Sequence, residues 1–200
     1  MFGLGVKIMK KEVKATEKIM DAFLRLCDNN QIEAITVKNI CDVAGISKQA
    51  FYNHYQDKYD LICHIYDERI ISEFDINRSM DGFNYKENLQ KTLNSMKEYK
   101  AFLKKAVCME CQNNLREYME QHSRDFDIAW HQSIYGTQVM PEELRFAIVY
   151  HAAAVTSVVL FWIMSDMRSE PEELANLIVQ IRSIGMESIL DGRDKDYLYK

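Results

Sequence analysis

Residues 36–61 read Thr36-Val-Lys-Asn-Ile-Cys-Asp-Val-Ala-Gly-Ile-Ser-Lys-Gln-Ala-Phe-Tyr-Asn-His-Tyr-Gln-Asp-Lys-Tyr-Asp-Leu61. Thr36 is a helix-capping residue type, and behind it Val37, Ile40, Cys41 and Ala44 recur at i, i+3, i+4 and i+7, the period of one buried helix face. Gly45 follows where a left-handed helix end would sit. Ser47 can cap a second short helix running to about Tyr55, and Asp57 opens a longer one with Leu61, Ile62, Ile65, Tyr66 and Ile70 on one side. Two short helices about a glycine turn make a helix-turn-helix unit.

In such a unit the second helix enters the DNA major groove while the first braces it across the backbone. The side chains suit that use. Lys48, Gln49, Tyr52, Asn53 and His54 lie away from Ala50 and Phe51, next to the cap Ser47. Gln and Asn pair with adenine edges and Lys with guanine. Thr36 and Lys38 open the first helix, where free amides and the positive dipole end favour an anion, and Lys58 opens the next one in the same way. Thr36, Lys38, Tyr55 and Lys58 are therefore expected to grip phosphates. On pattern alone the rival is two short helices packed in an ordinary bundle, with the tyrosines in the core.

At these residues the sequence resembles the N-terminal domain of TetR-type (TetR/AcrR) transcriptional regulators. That family has a capping Thr, an Ile–Ala core pair, a turn Gly, a Ser or Asn cap, then Tyr-x-x-Phe and Lys-x-x-Leu. Thr36, Ile40, Ala44, Gly45, Ser47, Tyr52, Tyr55, Lys58 and Leu61 hold those places, with Tyr55 where Phe is usual and Gln49 where many members carry a small residue. The match covers roughly residues 14–66. Tyr150, the Ala-rich stretch after it, Trp162 and Ser169-Glu-Pro-Glu-Glu-Leu more loosely resemble the branch of regulators linked to dihydroxyacetone kinase genes. The resemblance implies an all-α homodimer whose variable C-terminal domain often binds a small effector.

The composition agrees with a helical chain. Among 200 residues there are 7 Gly and 2 Pro, too few for an all-β fold with its many turns, and 48% are hydrophobic, which excludes a disordered chain. The net charge of −5 argues against a general nucleic-acid binder, but the charge is uneven. Residues 1–60 carry 9 Lys and Arg against 8 Asp and Glu, and the rest carry 16 against 22. The acidity lies in the C-terminal part, leaving the N-terminal part able to approach phosphate. Five cysteines, an odd number, with no secretory pattern at the start suggest a reduced, cytoplasmic chain. Phe146 to Met164 approaches the length of a membrane span. His151, Thr156 and Ser157 within it, flanking acids and the absence of a Lys/Arg cluster favour a helix buried in protein on nearly all sides, and no membrane partner is expected.

Two domains are expected: a DNA-binding head, 1–56, and a helical body for ligand binding and dimerisation, 57–200. Two or three helices fall between Tyr85 and about Tyr135, a long one over about 142–167, and a last one after Pro171. A helix over 142–167 with no solvated face must be covered on both sides, by the core and by a second subunit. Ala153, Ala154, Ser157, Val158 and Phe161, with Leu177, Ile181 and Ile184 of the last helix, are the expected dimer surface. The bland alternative is a central helix of a monomeric bundle. For a small-molecule effector, Tyr99, Phe102, Tyr118, Met119, His122, Phe126, Trp130 and His131 combine apolar walls with polar tips, although each is individually more typical of core.

Cys108 and Cys111 share a helix face at i, i+3, yet lack two further ligands at a known zinc spacing, so no metal and no cofactor is expected. No phosphate loop, Gly-x-Ser-x-Gly or His-Glu-x-x-His motif occurs, which argues against an enzyme. The sequence thus points to an effector-responsive repressor that binds a palindromic double-stranded operator as a homodimer. The alternative is a helical sensor of thiols or metal, or a coactivator, that does not touch DNA.

Overall fold

In the computed structural model the described residues are 2–74, 83–109, 114–135 and 140–187. They form nine helices and no strand. These are α1 (Phe2–Asn29), α2 (Val37–Ala44), α3 (Lys48–Tyr52), α4 (Lys58–Arg69), α5 (Tyr85–Glu98), α6 (Lys100–Ala106), α7 (Leu115–Tyr135), α8 (Glu142–Met164) and α9 (Pro171–Glu187), with 3₁₀ turns at Ile32–Ala34 and Ser72–Phe74. The chain is all-α, as the scarcity of Gly and Pro leads one to expect.

Several helix ends have a local cause. Thr36 and Asn39 close a capping box on α2, Ser47 caps α3, Asp57 accepts the amides of Tyr59 and Asp60 at the start of α4, and Asn84 caps α5. Gly45 ends α2 at φ 67°, ψ 40°, a conformation costly for any residue with a Cβ. The apolar spacing of Ile19, Ala22, Phe23 and Leu26 predicts a first helix over 14–29, whereas the α1 backbone runs helically from Phe2 through Gly3 and Gly5. α3 stops at Tyr52, short of the expected Tyr55, because the amides of His54 and Tyr55 both turn back to the Phe51 carbonyl. α8 stops at Met164, where Asp166 and Met167 take φ of 69° and 52° and the Met167 amide returns to the Trp162 carbonyl at 2.8 Å. Lys100 and Lys104 each lie 2.9 Å from the Asp166 carboxylate and hold it down to about 2.

One buried apolar cluster runs from Ile19 to Val179. α1 lies against α2 on one side and α6 on another, α4 leans on α7, and α5, α7, α8 and α9 pack together as the body. Within one chain α8 is covered on one side only. Ala147, His151, Ala152, Thr156, Val159 and Ile163 are buried, while Phe146, Val149, Tyr150, Val158, Phe161 and Met164 are exposed. The apolar residues encircle α8, and the core of one chain meets only half of them. The helix is long and apolar enough to cross a membrane by length and composition, and half of it is instead committed to this core.

Candidate nucleic-acid interface and effector cavity

The head presents α3 outward. Phe51 is fully buried beneath it, its ring perpendicular to that of Tyr52 with centroids 5.5 Å apart. Lys48, Gln49, Tyr52 and Asn53 are exposed, His54 is half-buried, and Lys38 is exposed at the start of α2. Gln49 Nε2 donates to Asn53 Oδ1 at 3.0 Å, so the two amides form one polar ridge along the helix. Ser47 Oγ accepts the Ala50 amide at 3.1 Å. Thr36 Oγ1 accepts the Asn39 amide at 3.2 Å, and Asn39 Oδ1 accepts the Thr36 amide at 2.9 Å. Both hydroxyls stay on the surface while they cap their helices.

Two expected phosphate grips are placed elsewhere. Tyr55 is 4% exposed, packed against Phe51 at 5.6 Å and His64 at 5.5 Å, and its hydroxyl is buried without a hydrogen-bond partner. Burial, then Asp60 and neighbouring acids, push that phenol well above its ordinary range. Lys58 turns inward as well: Nζ donates to the carbonyls of Ile32 at 2.8 Å, Glu33 at 3.0 Å and Ile35 at 3.0 Å. An ammonium has three donors, and these three carbonyls engage them all. The start of α4 is thereby tied to the turn that precedes α2.

Between α4, α5, α7 and α8 lies a small open cavity. Its walls include Tyr66, Phe74, Tyr85, Met96, Met119 and Phe126, with Thr92, His122 and Asp127 among the polar members. Met119, His122 and Phe126 thus stand where an effector site was expected. Tyr99, Phe102, Tyr118 and Trp130 do not line it. Phe102 packs edge-on against Phe23 at 6.3 Å in the core below α1, and Tyr99 is half-buried against that core. Tyr118 donates its hydroxyl to Asp67 Oδ2 at 2.6 Å, and Trp130 stacks on Tyr85 at 5.6 Å. Helical spacing alone does not say which side of α6 or α7 faces a void.

The sequence pattern did not expose a buried charge network beside this cavity. Arg182 of α9 lies 2.9 Å from Asp127 Oδ1, Asp127 Oδ2 is 3.0 Å from His151 Nδ1, and the guanidinium lies over the rings of Tyr85 at 4.4 Å and Trp130 at 4.9 Å. Burial alone would raise the Asp127 carboxyl, but Arg182, then His151, outweigh it and hold it well below the carboxylate range. Burial, reinforced by Arg182, lowers His151 and pushes His131 down to about 4. The available signal was a charge inside each apolar stripe: Asp127 beside Phe126, and Arg182 four residues after Ile178.

Cys111 and residues 75–82, 136–139 and 188–200 lie outside the described residues, so the Cys108/Cys111 pair is described on one side only. Cys108 is exposed, with Sγ 3.5 Å from Met164 Sδ. Among the described residues no three His, Cys, Asp or Glu gather as a metal site.

An exposed, capped helix after a glycine turn in an all-helical chain is the plan of a helix-turn-helix transcriptional regulator. The chain belongs to the TetR-type regulators: the family described as "Transcriptional regulator C-terminal region", TetR_C_8, matches residues 84–183. It is 23% identical over 181 residues to YxbF of Bacillus subtilis (strain 168), an HTH-type transcriptional regulator, covering 84% of this chain and 45% of that protein. It is 29% identical over 102 residues to DhaS of Lactococcus lactis subsp. lactis (strain IL1403), an HTH-type dhaKLM operon transcriptional activator, covering 51% of this chain and 54% of that one. The chain therefore spans about half the length of these curated relatives. A solved structure of the dihydroxyacetone kinase operon activator DhaS shares the fold, with a TM-score of 0.66 at 21% identity over 87% of this chain and 97% of that one.

Proposed function

We propose that the chain is a cytoplasmic, homodimeric, DNA-binding regulator whose affinity for a palindromic operator is set by a small effector. The head, residues 1–56, reads DNA, and the body, 57–200, pairs and holds the effector. The observation that carries this reading is the exposed polar ridge of α3, fixed from below by buried Phe51 and at its start by the Ser47 cap. Lys48, Gln49, Tyr52, Asn53 and His54 face the major groove, and Thr36 and Lys38 approach phosphates. One such short helix binds weakly, and two spaced by a DNA turn bind a palindrome. The exposed apolar residues of α8 and α9 supply the pairing surface: Val158 and Phe161 with Leu177, Ile181 and Ile184, around Ala153, Ala154 and Ser157.

α4 links the two activities. Its first residue, Lys58, is bonded to the turn that leads into α2, and Tyr66, two turns on, lines the cavity. An effector that shifts Tyr66 moves the head, and the two reading helices lose the half-site spacing. Loss of binding would make the protein a repressor. The kinship with DhaS, an activator by name, favours the opposite sign. A reporter under the selected operator, with and without the gene, separates the two.

Selection from random duplexes at fixed salt tests the whole. The expected product is an inverted repeat. Gln49→Ala relaxes preference at one position per half-site, whereas Lys38→Ala weakens every duplex and lowers the salt slope by about 1 per head. A chain that ignores all duplexes at low salt would instead be a sensor or coactivator without DNA contact.

A further inference from the structure

The cavity between α4, α5, α7 and α8 carries enough chemistry to name the class of molecule it takes, given the effector-responsive reading above. Among the described residues no Lys or Arg lines it. Its carboxylate, Asp127, is already matched by Arg182 at 2.9 Å and His151 at 3.0 Å, so the wall is close to neutral. His122 also lines it, near the Asp67 carboxylate. Four aromatic rings (Tyr66, Phe74, Tyr85 and Phe126) and two methionines (Met96 and Met119) share the remaining wall with the aliphatic side chains of Ile71, Leu89, Leu93, Val155 and Val159 and the hydroxyls of Ser123 and Thr156. Rings favour edge and offset contacts with other rings, and methionine sulfur adapts to a flat guest. One wall group is unmatched: Thr92 is 4% exposed, and its Oγ1 is buried with no hydrogen-bond partner. A buried hydroxyl left this way costs free energy that a guest oxygen can recover.

We infer that the cavity binds an uncharged aromatic molecule of one or two rings carrying a single hydroxyl or carbonyl oxygen, which Thr92 meets. An organic acid would enter facing Asp127 with no lysine or arginine to receive it. A cation would meet a carboxylate already held by Arg182, and would crowd that guanidinium. A small polyol would lose water from every hydroxyl and offer no apolar surface to the rings, methionines and aliphatic side chains that make up the greater part of the wall.

The test is calorimetric titration of the full chain with four probes: 2-naphthol, naphthalene, 2-naphthoate and dihydroxyacetone. 2-Naphthol binds, naphthalene binds about tenfold more weakly, and the other two do not bind. Thr92→Val leaves the naphthalene affinity in place and abolishes the preference for naphthol. Met119→Trp, checked by its melting curve, fills the cavity and removes both. If Met119→Trp fails to fold, the Thr92→Val pair of titrations still decides. Preference for naphthoate or dihydroxyacetone, silence from all four probes, or an unchanged naphthol preference in Thr92→Val overturns the inference. Binding of the selected operator is measured separately by fluorescence anisotropy. Operator binding without naphthol binding removes this inference alone, and naphthol binding without operator binding removes the regulator reading alone.

Discussion

At the scale of single residues, Tyr55 and Lys58 show how one motif serves two ends. Both stand at places where the sequence invites a phosphate contact, and both face inward. Lys58 satisfies three carbonyls at the end of the turn before α2. Lys58→Met keeps the stem and removes the donors, so it is expected to lower stability by about 1–3 kcal/mol, read as a fall in melting temperature. The salt slope of operator binding should stay put; an unchanged melt with a shallower slope would return Lys58 to the phosphate. Tyr55 has the opposite problem, a buried hydroxyl with nothing to bond. Tyr55→Phe removes the oxygen and keeps the ring contacts with Phe51 and His64, so chemical denaturation should find it neutral or more stable by up to about 1 kcal/mol. A loss above 1 kcal/mol would mean that the hydroxyl has a role that the packing does not reveal.

At the scale of elements, the caps were legible and the facing was not. Thr36, Gly45, Ser47 and Asp57 act through local backbone geometry, which depends on a few neighbouring residues, and each sits where the sequence puts it. The sides of α6 and α7 depend on what packs across from them, and so Phe102 and Trp130 read as cavity walls when they are core. Asp127 and Arg182 escaped for the same reason: each makes sense only opposite the other, 55 residues away. The buried network has a pH signature. His131 is pushed from 6.5 to about 4, so the unfolded chain takes up that proton first as pH falls. The associated stability is complete above about pH 6.5 and is lost as pH drops toward 4, by up to roughly 3 kcal/mol. Melting temperature should therefore decline across that window, and His131→Asn, which cannot titrate, should flatten the decline whatever it does to the absolute value. An identical slope in the variant would assign the acid sensitivity to other groups.

At the scale of the whole molecule, the legible part was the all-α plan and an apolar α8 that the core of one chain covers on one side only. The cover itself was not legible, because periodicity cannot separate a face turned to the core from a face turned outward when both are apolar. Phe161 is 74% and Ile184 69% exposed, a cost that a paired surface removes. Phe161→Glu places a charge in the middle of that surface. In the proposed dimer it shifts sedimentation to a single chain and weakens operator binding by at least tenfold, since each head then binds alone. Sedimentation identical to that of the parent protein would move the pairing surface away from α8.

Arg182 follows a neighbour that looks the other way: Ile181 is 64% exposed, while the guanidinium is sealed inside against Asp127. That adjacency constrains inheritance. Losing one member of a sealed ion pair costs about 3–5 kcal/mol, so a lineage that drifts at 127 must drift at 182 too. Descendants are then free to alter the outward isoleucine, and with it the choice of mate, while positions 127 and 182 travel together as one heritable unit.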